Sequence, residues 1–179
     1  MNPSEAVALI RDAVPRPGGT WADLGAGDGA FTRALAELLG PGSRIYAVDR
    51  DRRALGALRR WAATDAANVI PVLADFSGPF ELPGLGGTPL DGMLLANALH
   101  FVGDAGLLLG RLVQRLRPGG RLVLVEYDRR RGNPWVPHPI PAARLPELAA
   151  SAGLSTPIIT ATSPSAFGGS LYAAAADRL

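Results

Sequence analysis

The chain has 179 residues, 47% apolar and 19% charged, enough to build a buried core and too apolar for a disordered segment. At about 150 residues per domain, that length predicts a single domain over 1–179. The absence of cysteine excludes disulfides, thiol catalysis and thiolate metal sites, and no metal site is expected.

All 18 basic residues are arginine, which excludes Schiff-base chemistry and a phosphate-loop lysine. The net charge is only +2, yet the pI is about 9.6. With no lysine or cysteine, little titrates between the terminal amine and tyrosine, so a small surplus persists to high pH. The pI therefore reflects missing titrators rather than a polyanion partner. No apolar run approaches the roughly 18 residues that span a bilayer, so no membrane association is expected. The first residues lack the basic-then-apolar pattern of a signal peptide, and a cytoplasmic location is expected.

Asn2-Pro3-Ser4-Glu5 opens the chain with a capping-box pattern. Val7, Ile10 and Val14 then share one face, predicting a helix over 2–14 that Pro15, Pro17, Gly18 and Gly19 stop. A strand, Thr20–Leu24, runs into Gly25-Ala26-Gly27-Asp28-Gly29, and a helix with Phe31, Leu35, Leu38 and Leu39 inward follows. Arg44–Asp49 reads as a strand, Arg52–Trp61 as a helix and Val69–Ala74 as a strand. Phe76–Thr88, rich in proline and glycine, is expected to be loop or broken helix. Gly92–Ala96 is a buried strand, and Leu108, Leu112, Val113 and Leu116 mark a helix closing at Pro118-Gly119-Gly120. Arg121–Tyr127 is a strand covered on both faces. Gly132–Pro141 reads as a structured loop, Ala142–Ala152 as a helix, and Pro157–Thr162 with Ser170–Ala176 as a hairpin. Strands alternating with helices predict a mostly parallel sheet covered on both faces, and the hairpin predicts one antiparallel strand.

In such a sheet, ligands bind outside the carboxyl ends of the strands, near the first strand. Gly25, Gly27 and Gly29 stand there, and their spacing lets a ligand approach bare main chain. Asp23 precedes the loop and Asp28 lies within it. Two carboxylates repel a pyrophosphate and suit a ligand carrying a sulfonium and an α-ammonium group. Asp49 ends the second strand 20 residues after Gly29, where an acid can hold both ribose hydroxyls. At the end of the third strand, Asp75 can accept from an adenine amine and Phe76 can stack on the base.

These residues resemble the class I S-adenosylmethionine-dependent methyltransferases. Asp23-Leu24-Gly25-Ala26-Gly27-Asp28-Gly29 is similar to their first motif, Tyr46-Ala47-Val48-Asp49 to the ribose-binding second and Ala74-Asp75-Phe76 to the adenine-binding third. Leu116-Arg117-Pro118-Gly119-Gly120-Arg121-Leu122 is similar to the turn before their fifth strand. The resemblance implies an α/β, Rossmann-like doubly wound sheet of seven strands in the order 3-2-1-4-5-7-6, with strand 7 antiparallel. It implies S-adenosylmethionine as cofactor and S-adenosylhomocysteine as product. Gly25, Ala26, Gly27 and Gly29 would form the loop beneath the methionine moiety, with Asp49 at the ribose, Asp75 at the adenine and Asn97 at the amino-acid end. Arg50 either flanks the adenine or is a solvated arginine.

The acceptor side is thinner. Asn97-Ala98-Leu99-His100-Phe101 departs from the Asn/Asp-Pro-Pro-aromatic motif of enzymes that methylate base amines, and looks like the small-molecule branch. His100 is either a general base beside the methyl group or a structural histidine bonded to a loop. Methyl transfer is an in-line displacement from an activated sulfonium, so positioning can supply most of the rate without a base. Tyr127 and the loop after it are expected to wall the acceptor pocket. Trp135 and His138 either contact an apolar or aromatic acceptor or pack the loop. Arg129, Arg130 and Arg131 either hold an anionic group on it or are a solvated run. About 19 residues precede the first strand, so no separate cap domain is expected, and the pocket is open or completed by a second subunit as a homodimer.

The function expected is methyl transfer to a small molecule. The alternatives are an RNA or protein methyltransferase, for which arginines 50–53, 59–60 and 129–131 would have to form one surface, and a non-catalytic cofactor-binding protein. A nicotinamide oxidoreductase is disfavoured by Asp23 and Asp28.

Overall fold

The computed structural model describes residues 1–129, 131–165 and 169–179. Helix α1 (Pro3–Ile10) starts as its capping box dictates: Asn2 Oδ1 accepts from Glu5 N at 2.9 Å, and Glu5 Oε2 accepts from Asn2 N at 2.9 Å. It stops short of the expected residue 14. The chain tightens into a turn in which Ala13 N and Val14 N both donate to Ile10 O, ahead of Pro15 and Pro17.

The strands are β1 (Thr20–Leu24), β2 (Arg44–Asp49), β3 (Val69–Leu73), β4 (Leu90–Ala96), β5 (Leu116–Tyr127), β6 (Ile158–Pro164) and β7 (Ser170–Asp177). They form one seven-stranded sheet in the order β3-β2-β1-β4-β5-β7-β6. β1 to β5 run parallel, while β7 is antiparallel to both β5 and β6. This is the strand order that the resemblance implies, and its terminal hairpin is the one read from the sequence.

Helices α2 (Ala30–Leu39) and α3 (Arg52–Asp65) share one face of the sheet with α1. Helices α4 (Ala105–Val113) and α5 (Leu145–Ala152) cover the other. Alternate residues of each strand feed the two cores: Ala22 and Leu24 point towards α4 and α5, and Trp21 towards α1 and α2. That alternation puts the side chain of Asp23 on the α2 side. Gly92 of β4 lies flat against the Trp21 ring, and a Cβ there would overlap the indole.

Several boundaries differ from expectation: β4 begins at Leu90, β6 covers Ile158–Pro164, and the helix expected over 142–152 is a 3-10 turn, Ala142–Arg144, followed by α5. α3 runs on through Asp65, since Ala62 is buried on the same face as Leu55 and Leu58 and the amphipathic face does not end at Trp61. α4 ends at Val113, and Leu116 is already a strand residue facing Leu90. Gly92 then pairs with Arg121, so Pro118-Gly119-Gly120 is an insertion within β5 rather than a helix cap. Among the described residues, no helix is long and apolar enough to cross a membrane.

Candidate active site

The strand order reverses between β1 and β4, and the segments leaving the carboxyl ends of β1, β2, β3 and β4 surround a cleft of about 400 Å³. Gly25 brings the start of the glycine loop into its lining. Gly25 N and Ala26 N both donate to Val48 O, at 2.8 and 3.0 Å, so the loop is tied to β2 as it leaves β1. Gly25 has φ +84°, and a Cβ there would come 2.6 Å from the Ala98 Cβ and 3.4 Å from Phe76 Cε1. Only glycine lets the loop pass between the post-β4 turn and the Phe76 ring. Gly27, by contrast, faces open space.

Asp49 is half-buried and secures two neighbouring segments. Its Oδ2 accepts from Gly27 N at 2.7 Å, and its Oδ1 accepts from Asp51 N at 2.7 Å. Asp51 in turn caps α3, accepting from Arg53 N at 2.7 Å. Asp75 sits across the cleft. Its Oδ1 accepts from Ser77 N and Ser77 Oγ at 2.9 and 2.6 Å, and Arg50 Nη1 lies 3.6 Å from its Oδ2. The Ser77 donors, with Arg50 adding, hold the Asp75 carboxyl below the usual carboxylate range. Arg111 of α4 donates to Ser77 O at 2.7 Å, which anchors this turn to the far layer. Arg50, Asp75 and Phe76 all line the cleft, as does Asn97.

A second cavity of about 240 Å³ lies beyond the loop, bounded by Asp23, Ala26, Asp28, Phe31 and Asn97. Gly25 and Asn97 border both spaces and form the partition between them. Asp23 is 1% exposed; its Oδ2 accepts from Thr32 Oγ1 at 2.6 Å, and its Oδ1 has no partner. Burial pushes this carboxyl up to about 7, opposed by the Thr32 hydroxyl and reinforced by the charge of Asp49. Asn97 has φ +53°, which among the described residues no other non-glycine shares, and its side-chain Oδ1 is also buried without a partner. The left-handed backbone and the unpartnered acceptor thus meet at one residue, on the partition between the two cavities. Asp28 is exposed at the rim, and its carbonyl accepts from Arg33 Nη1 at 2.8 Å.

His100 is placed differently from a base beside the methyl group. It is 2% exposed and does not line the cleft; its Nδ1 lies 2.6 Å from Glu126 Oε2. Glu126, wholly buried on β5, also accepts from Leu99 N and His100 N at 3.0 and 3.2 Å. The carboxylate therefore fastens the short 3-10 turn Leu99–Phe101, which carries Phe101, Val102 and Gly103 into the cleft wall. Phe101 is 55% exposed there.

The expected acceptor residues lie outside the cleft lining. Tyr127 is half-buried, its ring 6.0 Å from that of His100, and burial pushes its hydroxyl up. Arg129 is half-buried and Arg131 exposed, while Arg130 lies outside the described residues. Trp135 is 77% exposed at the tip of a turn closed by Asn133 Oδ1, which accepts from Trp135 N and Val136 N. His138 comes nearest to the cleft: its N donates to His100 O at 3.0 Å, and its ring stands beside Gly103.

Sequence reasoning missed Thr32 and Glu126. The signal for Glu126 was a lone acid directly after the apolar run Leu122-Val123-Leu124-Val125, where a charge must be bonded to be buried. Thr32 gave none: its role depends on the first turn of α2 passing beside β1.

Comparison with known proteins agrees with this architecture. The family described as Methyltransferase domain matches residues 22–122. The chain is 32% identical over 108 residues to a probable cobalt-precorrin-6B C(15)-methyltransferase of Pyrobaculum aerophilum, covering 54% of each chain. It is 39% identical over 79 residues to a ribosomal RNA small subunit methyltransferase A of Rhodopseudomonas palustris, covering 44% of this chain and 27% of that one. The chain thus spans between about a quarter and about half the length of these curated relatives. A SAM-dependent methyltransferase structure from Aquifex aeolicus superposes with a TM-score of 0.73 at 16% identity, covering 100% of both chains. The chain belongs to the methyltransferase domain family, and its seven-stranded sheet is the fold that the Aquifex structure shares.

Proposed function

We propose that the chain catalyses S-adenosylmethionine-dependent methyl transfer to a small-molecule acceptor. The observation that carries this reading is the pair of cavities meeting at Gly25 and Asn97, with Asp23 and Asn97, each of which carries a buried acceptor oxygen without a partner among the described residues, lining the smaller one. An elongated ligand with a cationic amine at one end and a nucleoside at the other fits that space. The ammonium end is assigned to Asp23 and Asn97, the ribose hydroxyls to Asp49, and the adenine to Asp75 and Phe76, with Arg50 beside it. Ala26, Gly27 and Gly29 shape the loop beneath, and Asp28 stands at its rim.

When bound, S-adenosylmethionine supplies a methyl group already activated on a sulfonium. The protein's own work is then orientation and exclusion of water. Asp49 holds the glycine loop through Gly27 N, and Glu126 holds the cleft wall through the turn at His100. We assign His100 to that wall and leave proton removal to the acceptor and solvent. The acceptor enters past Phe101, Val102 and Gly103, with His138, Trp135, Tyr127 and Arg129 as an outer rim. An exposed phenyl ring in an open wall suits a planar or apolar small molecule.

A second reading, RNA methylation, is favoured by one observation. Arg52, Arg53, Arg59 and Arg60 are all exposed on α3 and lie within roughly a third of its circumference, a basic stripe starting beside the cleft at Arg50. Transfer from methyl-tritiated S-adenosylmethionine to a small-molecule extract and to total RNA separates the two. Label in the small-molecule fraction, reduced by Phe101→Ala, supports the first reading. Label in RNA alone, lost in Arg59→Gln/Arg60→Gln, overturns it.

A further inference from the structure

We propose that the cofactor's α-ammonium group enters in exchange for a proton carried by Asp23, so that loading the cofactor releases a proton to solvent. The inference rests on the cofactor reading above and concerns the protonation state of the empty site.

Asp23 and Asp49 stand on adjacent strands and are solvated in opposite ways. Each oxygen of Asp49 accepts a backbone N–H, which stabilises its charge. Asp23 is 1% exposed, and among the described residues its one donor is the neutral Thr32 hydroxyl. A carboxylate so enclosed, with one oxygen bare and no cation bonded to it, is more stable as the acid. The groups around it do not relieve this. β2 brings the negative charge of Asp49, α2 brings Thr32, β4 brings the neutral Asn97, and the loop brings Asp28. Among the cavity's lining residues, the only cationic group is the amine of half-exposed Met1.

A cationic amine in the cavity reverses the balance. The charged form of Asp23 then gains an ion pair, and the ligand supplies donors to Asp23 Oδ1 and Asn97 Oδ1. The O–H bond of Asp23 breaks, its proton leaves to buffer, and the amine keeps its own three protons. The bound pair is neutral, which a buried site tolerates far better than a lone charge.

The test is isothermal titration of the ligand-free protein with S-adenosylhomocysteine in phosphate and in Tris, whose ionisation enthalpies differ. With the Asp23 carboxyl poised at about 7, about half a proton is released per ligand at pH 7. Affinity at pH 6 is then about tenfold weaker than at pH 8. Thr32→Val removes the donor that favours the charged form, so release at pH 7 rises towards one proton. Asp23→Asn binds with no buffer dependence and a flat pH profile. If wild type binds without releasing a proton and its affinity is flat from pH 6 to pH 8, the proton exchange is overturned while the cofactor reading stands. If it does not bind at any pH, the cofactor reading itself fails.

Discussion

Removing the Asp49 side chain tests the site from its most connected residue. Asp49→Ala deletes two acceptors at once, the 2.7 Å bond to Gly27 N and the 2.7 Å bond to Asp51 N. The Asp51 N–H is exposed and rebonds to water, whereas the Gly27 N–H is part-buried and is the one left wanting. That costs about 1–3 kcal/mol, or a fall in Tm of roughly 2–12 °C for a domain of this size. The effect on ligand affinity should be larger. If the carboxylate also accepts from both ribose hydroxyls, two charge-assisted bonds of about 1.5–3 kcal/mol each are lost, a weakening of roughly a hundredfold to ten-thousandfold. Asp49→Asn separates the two effects, since the amide keeps one acceptor and the side chain's size. Its Tm should stay within about 3 °C of wild type while affinity falls at least about tenfold. Calorimetric titration with S-adenosylhomocysteine, beside thermal melts of each ligand-free variant, reads both quantities. An Asp49→Asn protein that binds within threefold of wild type would refute the ribose assignment.

Three further substitutions probe the surrounding structure. Gly25→Ala sets a methyl group 2.6 Å from the Ala98 Cβ at φ +84°, and should cost about 1–3 kcal/mol; Gly25→Ala/Ala98→Gly removes the clash but not the backbone strain, so only partial recovery in denaturant melts is expected. Glu126→Ala strands the His100 ring and two buried N–H groups, and should lose about 3–5 kcal/mol, with Glu126→Gln losing less; equal stability of the alanine variant in urea melts would contradict the clamp at the cleft wall. Asp23→Asn should alter the pH dependence of ligand-free stability. In the unfolded chain the Asp23 carboxyl ionises near 3.8, and in the folded chain at about 7, so wild-type stability falls as pH rises through that window. Relative to wild type, the asparagine variant should gain up to about 4 kcal/mol between pH 4 and pH 8, and a difference that stays constant with pH would show that Asp23 is already ionised when buried.

The alternation of strand and helix, with glycines and prolines at the boundaries, made a mostly parallel sheet with helices on both faces legible, and the strand order followed from the family resemblance. β1, β2 and β4 are short, mostly apolar segments ended by Gly25, Asp49 and Asn97, so period and punctuation agree there. They fail together at Leu116, where an apolar residue at helical spacing belongs to the next strand, because its pairing with Leu90 depends on a neighbour far away in sequence. That Asp49 and Asp75 line one cleft was legible for a similar reason: both follow strand ends, and strand ends in a parallel sheet converge on one edge. The acceptor side was not. Whether His100 faces the cleft or Glu126 depends on the path of the 3-10 turn, which nothing local to Asn97-Ala98-Leu99-His100 determines. Trp135 stands at a loop tip for the same kind of reason, since Asn133 closes the turn and directs the indole outward.

Binding of S-adenosylhomocysteine to the ligand-free protein, followed by thermal shift with NAD as the control, tests the central claim most directly. At a ligand concentration 100 times Kd, the fold should gain about 2.7 kcal/mol, a rise in Tm of roughly 5–11 °C, and NAD should give none. A shift with NAD and none with S-adenosylhomocysteine or S-adenosylmethionine would contradict the account.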